Sequence, residues 1–116
     1  ILREDGHPDW FQACRWHYKV QNCFHQHLTI AFMADVCGVS ESHFMKIFKD
    51  VTKQSFNEFL INYRLEVAAK QLKEGKMKVI DIANACGFNN HSYFTRVFLR
   101  KYGMTPINYR KSETTS

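Results

Sequence analysis

The chain contains one unit twice. Residues 30–40 read IAFMADVCGVS and residues 79–89 read VIDIANACGFN. At this offset of 49, Ala34 aligns with Ala83, Cys37 with Cys86 and Gly38 with Gly87. One inserted residue makes the offset 50, and Phe44 then falls on Phe94, Lys46 on Arg96 and Phe48 on Phe98. Further on, Ser55 falls on Thr105 and Phe59 on Tyr109. A duplicated unit limits the fold to whatever one copy can build, repeated.

Local signals say what that copy is. A short helix, a glycine turn and a longer helix make up the helix-turn-helix layout. Ala34 and Ala83 are small enough for paired helices to approach closely, and Gly38 and Gly87 tolerate positive φ. Phe44/Phe48 and Phe94/Phe98, spaced i, i+4, fix each second helix on a core. A first helix is expected after Pro8, with Asp9 as cap and Gln12 completing a capping box. It carries Ala13, Trp16, Val20 and Phe24 as one apolar stripe. Thr29 is placed to cap a helix through Ile30, Met33 and Ala34, and Ser40 to start the next. Ser55 and Glu58 form a Ser-x-x-Glu capping box for a long helix that stops at Gly75. A short helix from Val79 to Cys86 and one capped by Asn89 that reaches Tyr102 come next. The last opens at Thr105-Pro106. The expected fold is all-α.

Hydrophobic residues make up 45% of the 116 residues, enough for a real core. Apolar runs are far shorter than the roughly 20 residues of a membrane span, and no secretory signal is visible, which suggests a cytoplasmic protein without membrane contact. The chain starts at Ile1 and reads as a fragment of a longer protein. Formal net charge is +5, and the excess is uneven: from Lys76 to Lys111 seven basic residues stand against one acid, Asp81. Clustered positive charge points to nucleic acid or an anionic membrane. Cys14, Cys23, Cys37 and Cys86 form no C-x-x-C pair and read as free thiols, with Cys37 and Cys86 as small core residues in separate modules. Cys23, His25 and His27 are too few for a metal site, so no metal and no cofactor is expected. Trp10, Phe11 and Trp16 read as core or as an interface to a further domain. No Ser/His/Asp, paired-carboxylate or phosphate-loop pattern is present, so an enzyme is not expected.

The stretch IDIANACGFNNHSYFTRVFLRKYGMTPINYR, from Ile80 to Arg110, closely resembles the C-terminal signature of the AraC/XylS family of transcription regulators. Ile82-Ala83, Gly87-Phe88, Tyr93-Phe94, Arg96, Phe98, Gly103, Thr105-Pro106 and Tyr109-Arg110 carry the match. Ala34, Gly38-Val39-Ser40, Phe48-Lys49, Ser55-Phe56 and Arg64-Leu65 extend it to the first unit. The resemblance implies seven helices, two helix-turn-helix units and one long helix between them, about Phe56–Glu74. It also implies promoter DNA and RNA polymerase as partners, and a sensory or receiver domain N-terminal to this segment. Two departures stand out. Lys53 occupies a place where the family usually has Gly, so a strained turn or a shifted helix end is expected there. Leu99 follows Phe98 where the family often has Lys.

Base readers are expected on the outward face of each second helix, in its first half. In the first unit these are Ser42, His43, Met45 and Lys46; in the second, His91, Ser92, Thr95 and Arg96. Arg96 suits guanine O6 and N7, Lys46 reaches the same edge less selectively, and Met45 suits a thymine methyl. Phosphate contacts are expected from Lys49, Arg100, Lys101 and Arg110, and at the helix starts near Thr29, Val79 and Thr105.

The expected division is 1–9 as the remnant of a linker, 10–54 and 76–111 as the two units, 55–75 as the linker helix and 112–116 as a disordered tail. A 19-residue helix is about 28 Å long, close to the roughly 34 Å of one turn of B-DNA. The function so read is sequence-specific duplex binding at two successive major grooves by a monomeric domain. The competing reading is a protein- or RNA-interaction module that kept the fold.

Overall fold

The computed structural model describes residues 8–112. The expected linker and tail lie outside the described residues, apart from Pro8, Asp9 and Ser112. All described regular structure is helical: α1 (Asp9–Ala13), α2 (Trp16–Cys23), α3 (Ile30–Cys37), α4 (Glu41–Thr52), α5 (Phe56–Glu74), α6 (Val79–Ala85), α7 (His91–Tyr102) and α8 (Pro106–Ser112). The chain divides into two compact units, residues 1–61 and 62–116, with the division falling inside α5.

In the first unit the expected single opening helix is two helices. Arg15 takes the left-handed conformation (φ 56°) between α1 and α2, and the Asp9 capping box does not form. The cause lies in which residues must be buried. At about 100° per residue, Ala13, Trp16, Val20 and Phe24 share one face of a continuous helix, and Phe11 would point to the opposite face. Yet Phe11, Trp16 and Val20 are all buried in this unit. The break turns Phe11 inward. Burying such a ring contributes about 1.5–3 kcal/mol, enough to offset the roughly 1–2 kcal/mol of a left-handed arginine.

A second correction concerns the cysteines. Cys14 and Cys37, expected as free thiols, form a disulfide with a Cα–Cα separation of 4.8 Å. It ties the α1–α2 joint to the end of α3. Cys37 is therefore not a small core thiol. Cys23 and Cys86 are free, and Cys86 is buried.

The core of the first unit is aromatic. The Phe48 ring lies 4.8 Å from Trp16, 5.4 Å from Phe56, 5.4 Å from Phe59, 5.6 Å from Phe44 and 6.0 Å from Phe11, centroid to centroid. In the second unit Phe98 holds the matching place, 5.7 Å from Phe94, 4.6 Å from Tyr102 and 5.3 Å from Tyr109. Burial pushes the Cys86 thiol beside this core up to about 11.

The repeat is exact in its backbone caps. The N–H groups of Val39 and Phe88 donate to the carbonyls of Ala34 and Ala83 at 3.0 and 2.9 Å. Ser40 Oγ accepts from the His43 N–H, and Asn90 Oδ1 from that of Tyr93. The second of these corrects the expected cap by one residue, from Asn89 to Asn90. Ser55 and Glu58 make the reciprocal capping box, and the bond from the Ser55 N–H holds the Glu58 carboxyl below the usual carboxylate range.

Both α4 and α7 end on a left-handed residue whose N–H returns to the preceding turn, Lys53 (φ 66°) to Lys49 and Gly103 (φ 76°) to Leu99. Lys53 thus stands in a glycine's position, and its side chain is exposed. Lys53→Gly should raise stability by about 1 kcal/mol, because a Cβ is disfavoured at this φ. A denaturation midpoint equal to or below that of the parent chain would contradict this.

Candidate nucleic-acid interface

The two 12-residue helices α4 and α7 each hide an apolar back and expose a polar front. In α4, Phe44 and Phe48 are wholly buried, while Ser42, His43, Met45 and Lys46 are exposed. Met45, at 43% exposed, is not packing material for the core. In α7, Phe94, Val97 and Phe98 are buried, while His91, Ser92 and Arg96 are exposed and Thr95 is half-buried. Within each helix the expected readers therefore share an outward region. This follows from the repeat, because Phe-x-x-x-Phe sets the rotation of the helix and turns Met45 and Lys46 in α4, and Arg96 in α7, to solvent.

Two neighbours were not foreseen at these faces. The Arg96 guanidinium lies over the Tyr93 ring, 5.5 Å from its centroid. The spacing Tyr93-x-x-Arg96 already carried that signal, since residues three apart are neighbours on a helix. Trp10 lies edge-on to His43, with centroids 5.3 Å apart and planes at 78°. Nothing in the spacing could show this, since α1 and α4 are far apart in sequence.

The expected phosphate partners divide into groups. Lys49 and Arg100 are exposed. The Lys101 ammonium is 3.6 Å from the Glu66 carboxylate, an exposed pair that exchanges readily with other anions. Arg110 is engaged inside the second unit instead. Its Nε donates to the Leu72 carbonyl near the end of α5, and a terminal nitrogen donates to the Met77 carbonyl. Thr29 and Thr105 cap their own helices through their hydroxyls, accepting from the N–H groups of Phe32 and Asn108. Val79 begins α6, where Lys78 gives no side-chain cap.

The charge is as unequal as the sequence suggested. Residues 62–116 hold ten basic side chains against four acidic, and residues 1–61 hold six against seven. Among the described residues no group of three His, Cys, Asp or Glu is placed to hold a metal ion, and no helix is long and apolar enough to cross a membrane.

Comparison with known proteins agrees with this geometry. The model of a helix-turn-helix domain family matches residues 33–112. Regulatory protein SoxS of Salmonella typhimurium is 34% identical over 85 residues, covering 73% of this chain and 79% of SoxS. A Streptomyces lividans protein described as an AraC-like transcription regulator is 38% identical over 86 residues. That match covers 74% of this chain and only 28% of the relative, so the chain spans less than a third of that protein. Among solved structures, the DNA-binding domain of AdpA, the global transcriptional factor, in complex with a target DNA, superposes with a TM-score of 0.79 at 23% identity. That superposition covers 84% of this chain and 87% of the AdpA domain. With two helix-turn-helix units in one chain and matches of this extent, the chain belongs to the AraC-type helix-turn-helix family.

Proposed function

We propose that this chain is the sequence-specific duplex-DNA reader of a transcription regulator, with α4 and α7 in two successive major grooves of promoter DNA. The carrying observation is the paired build of α4 and α7: the same length, the same buried Phe-x-x-x-Phe back and an exposed polar front on each. The solved AdpA domain, which shares the fold, was crystallised with a target DNA. Ser42, His43, Met45 and Lys46 read one box, and His91, Ser92, Thr95 and Arg96 read the other. Lys49, Arg100 and Lys101 take phosphates, with the helix starts at Thr29, Val79 and Thr105 as further phosphate seats. Arg110 reaches phosphate only with donors left over from Leu72 and Met77. The chain acts as a monomer in the cytoplasm, because its pseudo-symmetry is internal, and RNA polymerase is the partner through which a promoter-bound reader acts.

Selection from random duplexes tests this reading, with two variants. Arg96→Ala should cost about 1–3 kcal/mol on the best site and relax the preference at one base pair. Lys101→Ala should weaken all sequences about equally. Equal losses on specific and random DNA for Arg96→Ala would make its contact a phosphate.

The selected site should be asymmetric, with two unlike boxes about 10 bp apart. Inserting about 5 bp between them puts one box on the far side of the duplex. Affinity should drop to that of a single box; unchanged affinity would mean that only one helix-turn-helix engages.

A further inference from the structure

The first unit carries a covalent feature that base reading alone does not require. Cys14 caps the end of α1, and Cys37 is the last residue of α3. Their Cα atoms, 4.8 Å apart, fall within the span a disulfide bridges. Both side chains are half-buried, within reach of a small thiol reagent, whereas Cys86 is fully buried.

Opposing preferences meet at the joint that this bond closes. The stripe Ala13, Trp16, Val20 and Phe24 favours one uninterrupted helix, and Arg15 is held at φ 56° to prevent it. Burial of Phe11 favours the break. The disulfide is a third contribution, and it acts on the broken form by fixing α1 to α3. Within the unit's core, Phe11 is the contribution of α1, packed 5.3 Å from Trp16 and 6.0 Å from Phe48, while Val20, Met33 and Phe44 come from α2, α3 and α4.

The position of α1 matters because of Trp10. Its indole stands edge-on to the exposed His43 ring, on the reading face of α4. The indole N–H is buried without a partner, so nothing polar holds Trp10 there except the placement of α1.

We propose that Cys14 and Cys37 are a thiol–disulfide switch on the first helix-turn-helix, which when closed pins α1 so that Trp10 braces His43. This rests on the DNA-reading function proposed above. The oxidant is a low-molecular-weight disulfide. One cysteine thiolate attacks it, forming a mixed disulfide and releasing one thiol. The second cysteine thiolate then attacks the protein sulfur of that bond, closing Cys14–Cys37 and releasing the other thiol. Two protein thiols are oxidised and one small disulfide is reduced to two thiols. With the bond open, α1 is held by the burial of Phe11 alone and the brace on the His43 ring loosens.

The test uses the full chain equilibrated at set ratios of reduced to oxidised glutathione. Alkylation followed by mass measurement should show two more alkyl groups under reducing conditions, at Cys14 and Cys37. Duplex selection in the same buffers should show the preference at the His43 base pair sharpening about threefold to tenfold on oxidation, the worth of one aromatic contact. Cys14→Ser should read like the reduced chain in both buffers, and its melting curve should match that of the reduced chain, showing that it folds. Trp10→Ala should still form the disulfide but show no redox effect on base preference. Equal alkylation in both buffers overturns the switch. So does altered alkylation with identical base preference. Absence of any enrichment in either buffer overturns the DNA reading itself, a result distinct from both.

Discussion

Raising salt from about 50 to about 200 mM should weaken binding to the best duplex roughly a thousandfold. Neutralising about six phosphates gives a log–log slope near −5, and a fourfold rise in salt then costs about three decades. Most of that slope should reside in the second unit, which holds ten basic side chains against four acidic ones. Replacing Lys76, Lys78, Arg100 and Lys101 together by Gln should flatten it. Replacing Lys46 and Lys49 should do so less, and should chiefly change sequence choice through Lys46. Titrations at four or five salt concentrations measure the slope, and a value near zero on duplex DNA would remove the basis of the proposed function.

Phe48→Ala should cost about 3–5 kcal/mol and unfold much of the first unit near physiological temperature. Phe48 is wholly buried, and five aromatic rings surround it within 6.0 Å. Each such pair adds about 0.5–1.5 kcal/mol beyond the area it buries, and no smaller side chain reaches all five. Phe48→Leu keeps much of the volume and should cost less. Thermal denaturation followed by circular dichroism separates the variants, and a Phe48→Ala midpoint matching the parent chain would refute the hub. Box selectivity at Ser42, His43, Met45 and Lys46 should disappear with the unit.

Features encoded within one turn of a helix were legible in the sequence. Ser40, the Ser55–Glu58 pair and Thr105 cap where their side chains predict, because a cap needs only a residue and its third successor. The positive φ at Lys53 is the strained turn expected from its standing where the resembling family usually has Gly. Where two adjacent residues could serve equally, as Asn89 and Asn90, the sequence alone could not choose.

What depended on distant residues was not legible. The break at Arg15 answers the burial of Phe11 among Trp16 and Phe48, and the regular stripe from Ala13 to Phe24 concealed it. The Cys14–Cys37 bond joins residues 23 apart that no local pattern connects. The bond from Arg110 Nε to a carbonyl 38 residues earlier in the chain likewise lies beyond any local pattern.

The unequal charge of the two units has a consequence for kinetics. A protein searching long DNA stays on it by sequence-blind ionic attraction, and so slides and hops rather than dissociating. Residues 62–116 hold the charge for that grip, whereas residues 1–61 are near balance. On the proposed function, the second helix-turn-helix should be the part that keeps the molecule on the DNA during the search, and the first should engage and disengage more quickly, with less ionic drag. Dwell time at a wrong site should then be set mainly by the second unit. On the proposed reading, arrest at the right site should come when the first unit's Ser42, His43, Met45 and Lys46 meet their bases.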